Sequence, residues 1–375
     1  MNKIQMVDLK GQYEKIKDEI NAGIQDVIDQ TAFINGPKVK EFSEHLSQYL
    51  GGIHVVPCAN GTDALQIALM ALDLKSGDEI ILPVHTYVAT AEVIALLQLK
   101  PIFVDVHPDF FTIDVTQIEN KISSKTKAIV PVHLYGQCAD METIMQMALK
   151  HKLFVIEDTA QAIGAKYTFS DGREVFAGTI GDIGTTSFFP SKNLGCFGDG
   201  GAMFVKNSEM ANKCTMIANH GQSVKYQHDV VGCNSRLDTI QAAILDVKLK
   251  YLDDYCKARQ DAASFYNELL KDVSRINTPK NYNKSTHVYH QYTLILDDSI
   301  DRTGLQNFLK EKGIPSMIYY PIPLHKQKAY KENNQWEQFP VTEKLSNTVL
   351  SIPIHTEITK SEQSFIVETI KSYLK

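Results

Sequence analysis

The sequence contains the stretch Thr185-Thr-Ser-Phe-Phe-Pro-Ser-Lys192-Asn-Leu-Gly-Cys-Phe-Gly-Asp-Gly-Gly-Ala202, in which one lysine interrupts a run of small, hydroxylated and aromatic residues. The preceding segment, Thr185 to Phe189, is typical of a buried strand. The glycines that follow the lysine allow tight turns and close approach of the backbone to a bound molecule. A lysine at such a boundary can lose water, which lowers its pKa and makes it a nucleophile of the kind that forms Schiff bases. The alternative is a lysine whose stem packs while its amine reaches solvent.

Short apolar runs alternate with helical segments on the N-terminal side of this stretch. The predicted strands are Glu79 to Leu82, Pro101 to Val106, Ala128 to His133 and Leu153 to Glu157, and the predicted helices between them are Thr62 to Leu74, Thr86 to Leu97 and Met141 to His151. This alternation predicts an α/β fold with a largely parallel sheet that is covered on both faces. Ligands of such sheets gather at the carboxyl ends of the strands.

The length of 375 residues predicts two domains. Helical patterns at Tyr13 to Gln30 and after Pro37 precede the alternating region, and a long helical pattern from Leu237 to Leu270 follows it. The predicted elements beyond that point are a strand at Tyr289 to Leu296, a helix at Thr303 to Lys312, a short strand at Ile314 to Ile318 and a terminal helix after Thr359. We therefore expect a large ligand-binding domain over residues 1–250 and a smaller α+β domain over residues 251–375.

Composition narrows the class of protein. Apolar residues make up 43% and charged residues 22% of the chain, as in globular proteins, and the net charge of -6 does not favour binding to nucleic acid. The six cysteines show no CxxC spacing, which predicts reduced thiols, no metal site and a cytoplasmic location. The N-terminus lacks the apolar run of a signal peptide, and the apolar helical stretch Ala64 to Leu74 is too short to span a bilayer, so no membrane role is expected.

A carboxylate ends one of the predicted strands, in the segment Leu153-Phe-Val-Ile-Glu-Asp158-Thr-Ala-Gln161. A buried carboxylate needs a cationic partner, and a protonated pyridine nitrogen would be one. That pairing lets pyridoxal phosphate (PLP) act as an electron sink, and Lys192 could hold the other end of the same cofactor. The alternative is that Asp158 caps a following helix.

A phosphate cradle is predicted where Cys58-Ala-Asn-Gly61-Thr62-Asp63 enters a helix. The turn offers backbone N–H groups, a hydroxyl and the positive end of the helix dipole, although Gly-Thr before a helix can also be an ordinary cap. Ser187 could add a phosphate contact or be a core hydroxyl. Tyr87 could stack on a flat ring or be a core aromatic residue.

Several longer motifs give this chain a family resemblance. They are Ala59-Asn-Gly-Thr-Asp-Ala64, Pro131-Val-His-Leu-Tyr-Gly-Gln137, Glu157-Asp-Thr-Ala-Gln161, Ser187-Phe-Phe-Pro-Ser-Lys-Asn-Leu-Gly195, Asn234-Ser-Arg-Leu-Asp238 and Tyr320-Pro-Ile-Pro-Leu-His325. With these motifs the chain resembles the DegT/DnrJ/StrS group of PLP-dependent sugar aminotransferases, from Val7 almost to the C-terminus. The resemblance implies the aspartate aminotransferase (type I PLP) fold, with a large domain around a mostly parallel sheet and a smaller C-terminal α+β domain.

The resemblance also implies roles for residues around the cofactor. The implied contacts are Lys192 for the Schiff base, Asp158 for the pyridine nitrogen, Gln161 for the ring hydroxyl, Gly61, Thr62 and Ser187 for the phosphate, Tyr87 for stacking, and Asn234 for the phosphate of the neighbouring subunit. The active site is then shared within a homodimer. The implied reaction takes an amino group from glutamate, releases 2-oxoglutarate and aminates a keto-sugar. Some relatives carry histidine at the lysine position and dehydrate sugars, so Lys192 favours transamination.

The segments around Asn219 to Gly232 and Met317 to Gln327 look most similar to members that aminate C3 of a nucleotide-linked sugar, in particular UDP-2-acetamido-2-deoxy-3-oxo-glucuronate. The candidate substrate contacts are Arg236, Tyr319, Tyr320, His325 and Lys326. Each has an alternative: an intersubunit ion pair for the arginine, a solvated charge for the lysine, interface aromatics for the tyrosines and a plain loop residue for the histidine.

Close relatives often show His-Tyr where this chain has Tyr319-Tyr320, which leaves a related neutral 3-oxo-N-acetylhexosamine open as the substrate. A dTDP-linked 3-oxo-6-deoxyhexose is the alternative substrate, and a non-catalytic PLP-binding regulator is the alternative function. The amino sugar products of this family usually enter surface polysaccharides such as the O-antigen of lipopolysaccharide.

Overall fold

The computed structural model describes residues 4–330 and 337–375. The helices are α1 Leu9–Gln30, α2 Pro37–Tyr49, α3 Gly61–Ala71, α4 Ala89–Leu96, α5 Val115–Ile118, α6 Met141–His151, α7 Ser208–Ala218, α8 Thr239–Leu249, α9 Leu252–Leu270, α10 Arg302–Glu311, α11 Pro340–Thr348 and α12 Lys360–Tyr373. The strands are β1 His54–Cys58, β2 Glu79–Pro83, β3 Lys100–Val104, β4 Thr126–Ile129, β5 Phe154–Asp158, β6 Lys166–Thr168, β7 Glu174–Phe176, β8 Ile183–Ser187, β9 Gly201–Val205, β10 Gln222–Val224, β11 Gln227–His228, β12 Ile276–Asn277, β13 Tyr292–Leu296 and β14 Val349–Ile352.

The central sheet has seven strands in the order β1-β9-β8-β5-β4-β2-β3. Its pairs from β8 through β5, β4 and β2 to β3 are parallel, and β9 runs antiparallel to both β8 and β1. All residues of β2 and β9 are buried, and apart from Glu79, which pairs with Lys100, both segments are apolar without alternation. The predicted α/β fold with a mostly parallel sheet is confirmed.

Separate apolar cores cover the two faces of this sheet. One core packs α2, α6 and α8 against it, with Phe42, Ile144 and Leu245 fully buried. The other packs α3, α4 and α7, with Ile67 and Ile94 fully buried. Because helices cover both faces of the sheet, a ligand is expected to bind at the ends of the strands.

The C-terminal region has an antiparallel sheet of its own, β12-β13-β14, with α9, α10 and α12 packed around a third core. The predicted helical pattern from Leu237 to Leu270 is two helices, because the chain turns at Lys250 and Tyr251 between α8 and α9. The boundary at residue 250 between two domains stays a prediction. None of the helices within the described residues has the length and hydropathy needed to cross a membrane.

The predicted strand at Ile314 to Ile318 was wrong. This segment makes one isolated bridge, between Met317 and Ser351, and then turns toward the candidate site. Pro315 has no N–H to donate to a ladder, which explains why an apolar run there does not pair as a strand. The strand predicted at Thr185 to Phe189 is shifted, since β8 ends at Ser187 and Phe188 already belongs to the lysine loop.

Candidate active site

Strand β5 carries Asp158 to the carboxyl edge of the sheet. The Asp158 Oδ1 atom accepts a hydrogen bond from the Ala160 N–H at 3.1 Å, and Oδ2 accepts one from the Thr90 hydroxyl at 2.9 Å. The residues after Asp158 form a turn and not a helix. The alternative of a helix N-cap was therefore wrong, and Thr90 at the start of α4 is a supporting residue that the sequence analysis missed.

Asp158 is only 6% exposed. Burial raises its pKa, while the bonds from Ala160 and Thr90 and the positive charge of Lys192 act in the opposite direction. A carboxylate in this setting gains most from a cation placed next to it, because burial penalises its charge. The group is suited to hold a protonated ring nitrogen.

A fully buried pair, Glu157 and His133, fixes the end of β5. The His133 Nδ1 atom accepts from the Ala139 N–H at 3.1 Å, so Nε2 carries the proton and donates to Glu157 at 2.9 Å. The same carboxylate accepts backbone N–H groups from residues 178, 180 and 181 at 3.0, 2.7 and 2.6 Å. Burial works to raise the pKa of Glu157, but these donors outweigh it and the pKa is lowered. The pair therefore holds an ionised carboxylate directly behind Asp158.

Lys192 is half-buried in the loop between β8 and β9, and its N–H donates to the Phe189 carbonyl at 2.8 Å. Burial lowers the pKa of its amine to about 8, and the charge of Asp158 opposes that change. Within residues 4–330 and 337–375, no acceptor takes a hydrogen bond from the Lys192 amine. An amine with these properties is a nucleophile near neutral pH.

Helix α8 holds the loop that follows Lys192. The buried Lys248 amine donates to the Gly195 carbonyl at 2.6 Å, and the Gln241 side chain accepts from the Phe197 N–H at 2.8 Å. A Cβ atom on Gly195 would lie 2.4 Å from the Pro190 carbonyl oxygen, so this bend requires glycine. Sequence analysis missed Lys248 and Gln241, because nothing in a helical pattern indicates which loop a helix will contact.

The predicted phosphate cradle forms where α3 meets the end of β8. Asn60 caps α3 by accepting from the Asp63 N–H at 2.8 Å, and the N–H groups of Gly61 and Thr62 have no acceptor in the described part of the chain. A Cβ atom on Gly61 would lie 2.6 Å from the Cβ of Ser187, which shows how close the two residues are. Free N–H groups at a helix N-terminus beside a hydroxyl fit a phosphate.

Aromatic and amide side chains form the opposite wall. The Tyr87 and Tyr320 rings lie 6.1 Å apart, and Tyr87 is 58% exposed, which leaves one face open for stacking. The Gln161 Nε2 atom donates to the Tyr320 hydroxyl at 3.5 Å, while Oε1 accepts from the Tyr135 N–H at 2.7 Å. Burial raises the pKa of Tyr320, so its hydroxyl stays protonated.

The structure does not bring every predicted residue into this group. His325 is buried against the Phe339 ring, with a centroid distance of 4.8 Å, and both His325 and Lys326 contact Glu343 on α11, at 3.2 and 2.7 Å. These contacts favour a structural role for both.

The segment at residues 234–236 lies beside the phosphate cradle, because the Ser235 hydroxyl accepts from the Ala59 N–H at 3.1 Å. In the described ranges, the side chains of Asn234 and Arg236 make no hydrogen bond or ion pair.

These residues fit PLP on the evidence of the geometry. A Cβ atom would fill the cradle at Gly61 and Ser187, a buried carboxylate that a cation would stabilise lies at Asp158, and the Lys192 amine has a lowered pKa and no acceptor among the described residues. The three features match a phosphate, a protonated ring nitrogen and an aldehyde carbon. The roles of the single residues toward the cofactor stay predictions.

Comparison with known proteins gives one family model, the DegT/DnrJ/EryC1/StrS aminotransferase family, over residues 14–371. The chain is 46% identical over 352 residues to the UDP-2-acetamido-2-deoxy-3-oxo-D-glucuronate aminotransferase of Pseudomonas aeruginosa, covering 94% of this chain and 95% of that protein. It is 44% identical to the pleiotropic regulatory protein of Geobacillus stearothermophilus, covering 99% of each, and 43% identical to the UDP-N-acetyl-3-dehydro-alpha-D-glucosamine 3-aminotransferase of Acidithiobacillus ferrooxidans, covering 99% and 98%. A solved structure, NtdA of Bacillus subtilis with bound cofactor PMP, superposes with a TM-score of 0.91 at 33% identity, covering 100% of this chain and 86% of that one.

Proposed function

The chain belongs to the DegT/DnrJ/EryC1/StrS aminotransferase family, and on that premise we propose that it aminates C3 of a UDP-linked 3-oxo-N-acetylhexosamine, with UDP-2-acetamido-2-deoxy-3-oxo-glucuronate as the favoured substrate. Membership makes it a PLP-dependent sugar aminotransferase. Glutamate is the proposed donor, and the products are 2-oxoglutarate and a 3-amino sugar. The observation that carries the substrate is the likeness to the Pseudomonas aeruginosa enzyme, which is named for that uronate.

The residues of this chain supply binding and proton transfer. Bound PLP supplies an electron sink for charge that develops on the carbon bearing the amino group. The Lys192 amine, with a pKa of about 8, is suited to carry a proton to and from that carbon. Asp158 holds the proton on the pyridine nitrogen, and the cradle at Gly61 and Ser187 binds the phosphate.

The proposed recognition of the uronate carboxylate rests on Arg236. Arg236 is half-buried, and its guanidinium has no ion-pair partner in residues 4–330 and 337–375. Arginine binds carboxylates through two parallel hydrogen bonds, so a free guanidinium near the cradle suits a negatively charged sugar. Tyr319 contributes no positive charge, which leaves Arg236 as the predicted carboxylate contact.

The reverse reaction tests the substrate directly. We would offer the UDP-linked 3-amino uronate, its neutral 3-amino-N-acetylhexosamine counterpart and a dTDP-linked 3-amino-6-deoxyhexose with 2-oxoglutarate, and compare kcat/KM. The uronate should be preferred, and Arg236→Gln should lower its kcat/KM by roughly a hundredfold while changing the neutral sugar about threefold or less. Preference for the dTDP sugar would contradict the proposal that the substrate is linked to UDP. Equal losses on both UDP sugars would overturn the role of Arg236.

A homodimer with shared active sites is part of the proposal. Large apolar side chains of the lysine loop and of residues 224–231 are strongly exposed: Phe189 by 51%, Val224 by 62%, Tyr226 by 81% and Val231 by 85%. Exposed apolar patches of this kind mark interaction surfaces, and a second copy of the chain is the proposed partner. Asn234 would then reach the phosphate of the cofactor that the neighbouring subunit binds.

The alternatives are a dTDP-linked 3-oxo-6-deoxyhexose as the substrate and a non-catalytic regulator as the function. The relative named a pleiotropic regulatory protein supports the regulator. Turnover that disappears in Lys192→Ala would exclude it, because a regulator needs no proton-transfer lysine. We further propose that the enzyme works in the cytoplasm, where the amino sugar is made for a surface polysaccharide such as an O-antigen.

A further inference from the structure

Tyr135 contacts both walls of the candidate site. Its backbone N–H donates to the Gln161 Oε1 atom at 2.7 Å, and its hydroxyl donates to the backbone carbonyl of Tyr319. Residue 135 is buried and has a φ of 60°, a left-handed conformation that directs the N–H and the side chain to different partners. One residue therefore joins Gln161, predicted to face the cofactor ring, to the segment that carries Tyr320.

His85 supports the same hydroxyl. Its Nε2 atom lies 3.3 Å from the Tyr135 oxygen, and burial lowers the pKa of His85 to about 4, so the imidazole is neutral. The Tyr135 proton is directed to the Tyr319 carbonyl, so the Tyr135 oxygen can accept a hydrogen bond from His85 Nε2–H or from the Thr293 side chain, and His85 also bonds the Tyr319 backbone. The Tyr135 hydroxyl, His85 and the Tyr319 carbonyl therefore form one buried hydrogen-bonded cluster.

Tyr320 is the next residue after the carbonyl that Tyr135 holds. Its ring lies 6.1 Å from both Tyr87 and His85, and its hydroxyl is within 3.5 Å of Gln161. A shift of the Tyr319 carbonyl would move this ring and hydroxyl together. The position of the wall that faces the substrate thus depends on a buried hydrogen bond behind it.

We propose that Tyr135 is a positioning residue: its hydroxyl, in contact with His85, holds the Tyr319–Tyr320 segment against Gln161 and so sets the geometry of the sugar-binding wall. This inference rests on the proposed function, because it assigns that wall to the nucleotide sugar. The backbone N–H bond to Gln161 does not need the hydroxyl. Tyr135→Phe therefore separates the sugar side of the site from the cofactor side.

The test compares two single turnovers of the PLP-loaded protein, followed by the absorbance of the bound cofactor. One starts with glutamate, the other with the 3-amino nucleotide sugar that the wild-type protein uses best. In Tyr135→Phe, kcat/KM should fall about tenfold for the sugar, as expected for one lost hydrogen bond, and about twofold or less for glutamate. The matched control is Tyr167→Phe, which removes a buried hydroxyl bonded to Asp140 at 2.8 Å away from the site, and should leave the ratio of the two rates unchanged.

A second measurement does not depend on activity. Hydrogen exchange of the loaded protein should be faster for the peptide that spans residues 317–326 in Tyr135→Phe and unchanged there in Tyr167→Phe. His85→Asn removes the Nε2 donor, which contacts both the Tyr135 hydroxyl and the Tyr319 backbone, and keeps the tyrosine, so it should change the rate ratio in the same direction. This variant keeps the test available if Tyr135→Phe does not fold.

Equal losses in both single turnovers, or unchanged exchange of that peptide, would overturn the inference about Tyr135. A wild-type protein that accepts none of the 3-amino nucleotide sugars would overturn the proposed function. The two failures are distinct, since the first requires a wild-type protein that turns over a sugar normally.

Discussion

Gly61 at the start of α3 lies so close to Ser187 at the end of β8 that a Cβ atom on the glycine would come within 2.6 Å of the serine Cβ. The helix and the strand can meet there only because residue 61 has no side chain. We predict that Gly61→Ala pushes the two elements apart and weakens PLP binding by roughly tenfold or more, measured by titrating the cofactor-free protein with PLP. Gly23→Ala is the matched control, because its Cβ would meet only Ala243 at an ordinary 3.7 Å, and binding should not change.

Lys192 should carry the covalent attachment of the cofactor. Borohydride reduction of the yellow protein is expected to fix PLP on the peptide that contains Lys192, detected by mass spectrometry, and Lys192→Ala should lose both the label and turnover. Lys248 is an internal control, since burial also lowers its pKa to about 8 but its amine is bonded to the Gly195 carbonyl. A label on Lys248 or on any other lysine would exclude the assigned role of Lys192.

The rate of cofactor attachment should depend on pH in a way set by Lys192. A lysine is neutral and nucleophilic above its pKa, and burial lowers this one to about 8. The rate at which PLP attaches to the cofactor-free protein should therefore rise between about pH 7 and 9 and then level off, whereas an unperturbed lysine would continue to gain past about pH 10.

The negative charge of Asp158 acts to raise the pKa of Lys192, so replacing Asp158 tests the electrostatic interaction between the two residues. In Asp158→Asn the midpoint of the pH profile should move to lower pH, because the negative charge that stabilises the protonated amine is gone. Asp171→Asn is the control, since this aspartate is exposed and pairs with Arg173. An unmoved midpoint in Asp158→Asn would show that the two groups do not interact.

Glu157 should matter for stability more than an exposed glutamate does. Each of its two oxygens accepts hydrogen bonds from two N–H donors. In Glu157→Gln the NH2 group of the new amide must face two of these donors, and the negative charge beside His133 is lost. We predict that the free energy of unfolding falls by about 3 kcal/mol in urea titrations. Glu119→Gln, at an exposed ion pair with Lys150, should cost less than about 1 kcal/mol. Similar small losses for both would contradict the buried network.

Shared active sites predict recovery of activity when two inactive variants are mixed. Lys192→Ala removes the amine of one subunit, and Asn234→Asp places a negative charge where the partner's phosphate is proposed to bind. In a mixed dimer one site carries both changes and the other neither, so an equal mixture should recover about a quarter of wild-type turnover after subunit exchange. Sites built within one chain would recover nothing, because both sites would keep one lesion.

Much of the fold could be predicted, because its signals are local. The strands β2 and β5 appear as apolar runs, and α6 begins and ends at the predicted residues, Met141 and His151. Local signals also explain the wrong strand at Ile314 to Ile318, because its apolar character predicts a strand but Pro315 cannot donate an N–H to a ladder. They could not show that β9 inserts antiparallel between β8 and β1, since pairing partners are far apart in the chain.

The candidate site also has features that the sequence could predict and features that it could not. Residue chemistry, motif spacing and family resemblance sufficed to single out Lys192, Asp158 and the Gly61 turn, because a Schiff-base amine, a buried carboxylate and a helix N-terminus each have a sequence signature. The interactions that tune these groups have no sequence signature. They are the hydrogen bonds from Thr90 to Asp158, from Lys248 to Gly195, and from Tyr135 to Tyr319, which is 184 positions away in the chain. Glu343 likewise pairs with His325 and Lys326, two residues that the sequence analysis names as candidate substrate contacts. The sequence by itself determined which chemical groups the protein has, and only the tertiary structure decided which of them meet, because hydrogen bonds and pKa shifts depend on distances that packing sets.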